Sequence, residues 1–66
     1  MKTVNKIREM RKEFNMTQAE LAEQVGVSRK TINTVENCVF MPSVGLAIFI
    51  SQVFNKKVED IFSISK

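Results

Sequence analysis

Residues 17–37 read Thr17-Gln18-Ala19-Glu20-Leu21-Ala22-Glu23-Gln24-Val25-Gly26-Val27-Ser28-Arg29-Lys30-Thr31-Ile32-Asn33-Thr34-Val35-Glu36-Asn37. Thr17 followed three residues later by Glu20 is a capping-box pattern, in which the hydroxyl accepts from the N3 amide and the carboxylate reaches back to the cap amide. A helix therefore starts at Gln18, with Leu21, Ala22 and Val25 along one side. Gly26 falls just past its end, where a residue without a Cβ takes the left-handed conformation with least strain. Ser28 is placed to cap a further helix whose inward positions are Ile32 and Val35, leaving Arg29, Lys30, Asn33 and Thr34 outward. Two short helices across a tight turn, the second with an outward face of Arg, Lys, Asn and Thr, have the geometry that lays a helix in a DNA major groove.

Outward from this stretch the pattern stays helical. Val4, Ile7, Met10 and Arg11 recur at three-and-four spacing, predicting a first helix over residues 3–13 that ends at a Phe14-Asn15 turn, with Lys6, Arg8, Glu9 and Lys12 facing out. Pro42-Ser43 opens a fourth helix running to about Phe54, and residues 58–62 read as a short fifth. Residues 61–65 alternate like a strand that pairs with residues 1–5, either within the chain or across to a partner. The expected fold is all-α, a compact five-helix domain over residues 1–66 with this short terminal strand pair added.

The quoted stretch resembles the phage repressor and Cro type (Xre-like) of helix-turn-helix DNA-binding proteins, and the likeness extends over nearly the whole chain. The resemblance implies a lambda-repressor-like fold that binds double-stranded DNA to regulate transcription. Arg29 can offer a fork to guanine O6 and N7, and Asn33, one turn on, can pair with adenine N6 and N7; Lys30 and Thr34 share that arc. Gln18 stands at a helix N-terminus, where free amides favour a phosphate, and the resemblance implies the same role. Ser28 divides between capping and the DNA backbone, and Asn37 reads either as a backbone contact or as a C-cap. Glu36, a carboxylate beside a basic stretch, is expected to pair with Arg11, as the family pattern also implies. Arg11 then keeps spare donors for phosphate.

The family often has Gly where Cys38 stands and polar residues near Val39, Phe40 and Met41. A left-handed Cys38 would carry some strain. Leu46, Ala47, Ile50 and Phe54 suffice for the core of the fourth helix, which leaves Phe49 and Gly45 outside it. Val39, Phe40, Met41 and Phe49 are therefore candidates for a homodimer interface, the alternative being that the loop folds back over its own core. A dimer would read a palindromic operator with half-sites about 34 Å apart. Repression by occupancy is expected, since no separate effector region is apparent.

Composition sets the outer limits. Ten Lys and Arg against seven Asp and Glu give a net charge of +3, which favours a polyanion without naming one. There is no histidine and one cysteine, so a disulfide framework or a multi-ligand zinc site is not expected, nor is a cofactor or small-molecule ligand. That usage, the lack of a secretory h-region and an apolar run at 44–50 too short to span a bilayer point to the cytoplasm and away from membranes. No histidine, paired-carboxylate cleft or phosphate-cradling glycine loop supports an enzyme. A second class is a protein-interaction module, an antitoxin or adaptor on the same fold, favoured by the apolar patch. Cys38, beside apolar residues, reads as inert rather than redox-sensing.

Overall fold

In the computed structural model, which describes residues 2–65, the order of elements is β1 (Lys2–Asn5), α1 (Ile7–Glu13), α2 (Gln18–Val25), α3 (Arg29–Glu36), α4 (Val44–Val53), α5 (Val58–Ile61) and β2 (Phe62–Ser65). Each helix contributes one or two apolar side chains to a shared core. Ile7, Leu21, Ile32, Val35 and Ile50 are fully enclosed, and Ala22, Ala47, Phe54, Ile61 and Phe62 complete it. Met10, Met16, Val25, Val27 and Leu46 pack around its edge. Phe14, just past α1, sets its ring edge-on to Phe54 with centroids 5.2 Å apart, a favourable aromatic geometry.

The first helix is shorter than its periodicity predicts, because residues 2–5 are a strand. They pair antiparallel with β2 of the same chain, in the register Lys2↔Ser65 to Asn5↔Phe62. Met1, expected in this strand, lies outside the described residues. The switch from strand to helix is made by Asn5, whose Oδ1 accepts from the Ile7 amide at 3.2 Å, and by the Lys6 amide, which donates to the Ile61 carbonyl at 2.9 Å. The fifth helix likewise ends one residue early, since Phe62 already has extended backbone and begins β2.

Helices α2, α3 and α4 start on side-chain caps: Thr17, Ser28 and Ser43 each accept from the amide three residues on. The ends of α1, α2, α3 and α4 are marked by left-handed residues. Asn15, Gly26, Cys38 and Asn55 have φ of 52°, 78°, 59° and 55°. After each of them the next amide reaches back to a carbonyl five residues earlier: Met16 to Arg11, Val27 to Ala22, Val39 to Thr34 and Lys56 to Ser51, at 2.8–3.0 Å. This is the Schellman closure of a helix C-terminus.

Candidate nucleic-acid interface

The capping box at Thr17 is complete. Thr17 Oγ1 accepts from the Glu20 amide at 3.0 Å, and the Glu20 carboxylate accepts from the Thr17 amide at 2.8 Å. Hydrogen bonds from the Thr17 backbone and then its hydroxyl hold the Glu20 carboxyl below its ordinary value. The box leaves the amides of Gln18 and Ala19 unused at the tip of α2, where the helix dipole favours an anion. Gln18 and Arg29 line the same open concavities between the start of α2 and the face of α3.

Along α3, Arg29, Lys30 and Asn33 are exposed. Thr34 is less available than the outward pattern predicts. It is half-buried, and its hydroxyl donates back to the Lys30 and Thr31 carbonyls at 3.1 and 2.9 Å, which leaves only lone pairs for a partner. Ser28 caps the helix through a 3.1 Å bond from the Thr31 amide and shares a 2.9 Å bond with the Thr31 hydroxyl.

Beneath α3 lies an ion pair. Arg11 donates to Glu36 through both Nε and Nη2, the latter at 3.0 Å, and through Nη1 to the Met16 carbonyl at 3.0 Å. Two of its five N–H donors remain. Gln18 Nε2 lies 3.1 Å from Glu36 Oε1, and Arg8 Nε lies 3.5 Å from the same oxygen. The Glu36 side chain is wholly enclosed. Burial opposes its ionisation, but hydrogen bonds from Arg11 and Gln18 and the charges of Arg11 and Arg8 outweigh that, so its carboxyl sits below the usual 4.5. Side chains from α1 and α2 thus meet on this one carboxylate of α3.

The rim of the pair is a chain of amides. Gln18 Nε2 also donates to Asn33 Oδ1 at 3.3 Å, Asn37 Nδ2 donates to the same oxygen at 3.2 Å, and Arg8 Nη2 donates to Asn37 Oδ1 at 2.9 Å. Asn37 occupies the C-cap position with φ −84°, and the left-handed residue is Cys38. Two members of this assembly escape a reading by pattern. Arg8 belongs to a face that looks solvated, although its three-residue spacing from Arg11 puts both guanidinium groups within reach of one partner. Asn5, from β1, donates to the Val35 carbonyl at 2.9 Å and so ties the strand to the end of α3.

The apolar loop does not fold back over the core. Val39, Phe40 and Met41 are exposed, as is Phe49, and they are joined by Val44 and Ile48, which the pattern does not single out. Met41, Val44 and Ile48 line a groove of about 190 Å³ with Val58 and Phe62, and it includes none of the polar residues of α3. Among the described residues no cluster of His, Cys, Asp or Glu could hold a metal, and no helix is long and apolar enough to cross a membrane.

Two capped helices across a left-handed glycine, the second locked from below and polar outside, define a helix-turn-helix domain of the DNA-binding regulator class. The chain belongs to the phage repressor and Cro-type helix-turn-helix family, whose profile matches residues 7–61. An uncharacterized HTH-type transcriptional regulator of Archaeoglobus fulgidus is 54% identical over 57 residues, covering 86% of this chain and 80% of the relative. The uncharacterized HTH-type transcriptional regulator YgzD of Bacillus subtilis is 41% identical over 58 residues, covering 88% of each. A crystal structure of a Bacteroides fragilis protein superposes with a TM-score of 0.82 over 92% of this chain and 98% of that one, at 24% identity, and so shares the fold.

Proposed function

We propose that the chain is a sequence-specific regulator that binds a palindromic operator as a homodimer and represses by occupying it. The observation that carries this reading is the exposed Arg29, Lys30 and Asn33 face of α3, braced from below by the Arg11–Glu36 pair. A helix held in place before binding, with the Asn33 amide already hydrogen-bonded, has less freedom to lose on docking, which favours selective recognition. Arg29 and Asn33 meet base edges, with Lys30 and the Thr34 oxygen beside them. The backbone is held by the amides at the tip of α2, by Ser28 and Asn37, and by the spare donors of Arg11. Because the Gln18 side-chain nitrogen serves Asn33 and Glu36, its phosphate contact falls to the main-chain amide.

The exposed apolar surface supports the dimer, since one short helix reads few base pairs and a two-fold pair reads two half-sites. A protein partner on that surface is the competing reading, favoured by the Met41–Val44–Ile48 groove. Binding-site selection from random duplexes at near-physiological salt separates them. A symmetric site with half-sites about one helical turn apart is expected. Arg29→Ala should lose about 1–3 kcal/mol at one base pair, whereas removing a phosphate contact weakens all sequences alike. Absence of any enriched site from folded protein would pass the case to the protein partner.

A further inference from the structure

The amide of Asn33 has its polarity set from two sides. Glu36, as a carboxylate, offers only acceptors, so the Gln18 atom 3.1 Å from its Oε1 is the nitrogen. That nitrogen lies 3.3 Å from Asn33, whose facing atom must then be the oxygen. From the other side Arg8 has only donors, so the Asn37 atom 2.9 Å from its Nη2 is the oxygen, and the Asn37 nitrogen meets the same Asn33 oxygen at 3.2 Å. Both lone pairs of Asn33 Oδ1 are thereby occupied. Turning the amide over would set its nitrogen against two other amide nitrogens. Among the described residues nothing accepts from Asn33 Nδ2.

We infer that Asn33 reads its base through donors alone and selects guanine at its position, a specificity that rests on the reading of α3 as the groove-bound helix. An asparagine free to present both ends suits adenine, whose N7 accepts while its N6 donates. Here the acceptor needed by N6 is withdrawn. Guanine is the base that shows two acceptors, N7 and O6, on its major-groove edge, and one Nδ2 carries two protons for them. Thymine offers O4 alone, and the cytosine amino group opposes a donor. Gln18 and Asn37 are positioning residues, setting base choice without touching the base.

The test is site selection with the unaltered chain, Asn33→Ala and Asn33→Asp, with folding followed by thermal melting. The position that loses its preference in Asn33→Ala locates the base read. Guanine there in the unaltered chain is expected. Asn33→Asp keeps an inward acceptor but turns the outward atom from donor to acceptor. It should exchange guanine for cytosine and weaken the original site roughly tenfold or more. If the aspartate variant does not fold, Asn37→Ala, which frees one lone pair of Oδ1, should admit adenine at that position. Adenine in the unaltered chain, guanine retained by Asn33→Asp, or guanine alone retained by Asn37→Ala overturns the inference. Loss of preference in Arg29→Ala but not in Asn33→Ala overturns it while leaving groove reading intact; no enriched site for folded protein overturns both.

Discussion

Glu36 is a carboxylate enclosed by protein, and what keeps it charged is the set of donors around it: Arg11 twice, Gln18 once, and the nearby charge of Arg8. Its folded-state acidity is greater than in the unfolded chain. At pH values between the two, the unfolded chain holds the proton that the folded chain has shed, so stability rises with pH there. The contribution is complete above the ordinary value of 4.5 and is lost as pH falls through the lower folded one. Glu20 acts in the same direction. Glu36→Gln should therefore flatten, without abolishing, the fall in urea midpoint between roughly pH 6 and pH 3. An unchanged slope would mean that the pair gives no net stabilisation. Removing Arg11 instead should cost about 1–3 kcal/mol at neutral pH, because the enclosed carboxylate loses its main donors. The link of Glu36 to Arg11 is legible in sequence from the family pattern. The orientation of Asn33 is not, since it depends on Arg8 and Asn37 acting through space, and spacing says nothing about which end of an amide faces in.

The four longer helices share one way of stopping, and the sequence announces it unevenly. Gly26 and Asn15 are residue types that enter the left-handed region readily, and both stand where a helix ends. Asn55 does the same after α4, but nothing around it marks a turn as strongly. Cys38 is the exception, a side chain with a Cβ held at φ 59° because the Val39 amide must reach the Thr34 carbonyl. That conformation costs about 1–2 kcal/mol for a residue with a Cβ. Against it stand weak sulfur contacts with Asn5 Nδ2 and the Glu36 carbonyl, at 3.8 and 3.9 Å. Cys38→Gly should raise stability by about 1 kcal/mol, read as a higher denaturant midpoint at unchanged slope. A lower midpoint would show that the sulfur contacts outweigh the strain. The boundary between β1 and α1 hides for a different reason. Val4, Ile7 and Met10 fit a helical face, yet the ladder to β2 claims Val4, and only the distant partner strand decides between them.

At the scale of the molecule, the fold is readable because the enclosed side chains recur at helical spacing between clear caps. The outer surface is harder to read, since α4 is apolar on nearly every side and periodicity cannot say which side faces a partner. Val44 and Ile48 are exposed although they belong to that run. Val44 is 77% exposed at the first position of α4, on the rim of the apolar groove, so a glutamate there can turn to solvent and suits the helix dipole. Val44→Glu should leave thermal stability at low protein concentration within about 0.5 kcal/mol of the original. If the proposed homodimer closes through this face, the variant should also shift sedimentation from dimer to monomer and weaken a full palindrome more than an isolated half-site. Unchanged sedimentation would place the interface elsewhere on the surface or leave the chain a monomer.

The strand pair also carries a consequence for the order in which the molecule assembles. β1 and β2 join residues from opposite ends of the described chain, whereas α2 and α3 are neighbours in sequence. Closing a long loop forfeits more chain entropy than closing a short one, so the two-stranded ladder is the last part expected to fasten and the first to open. Amide protons of β1 and β2 should then exchange with solvent before those in the middle of α2 and α3, and deuterium uptake followed by NMR can rank them. Each opening also withdraws Asn5 from the Val35 carbonyl, so the final turn of α3 should loosen in step with the clasp while its first turn stays shut.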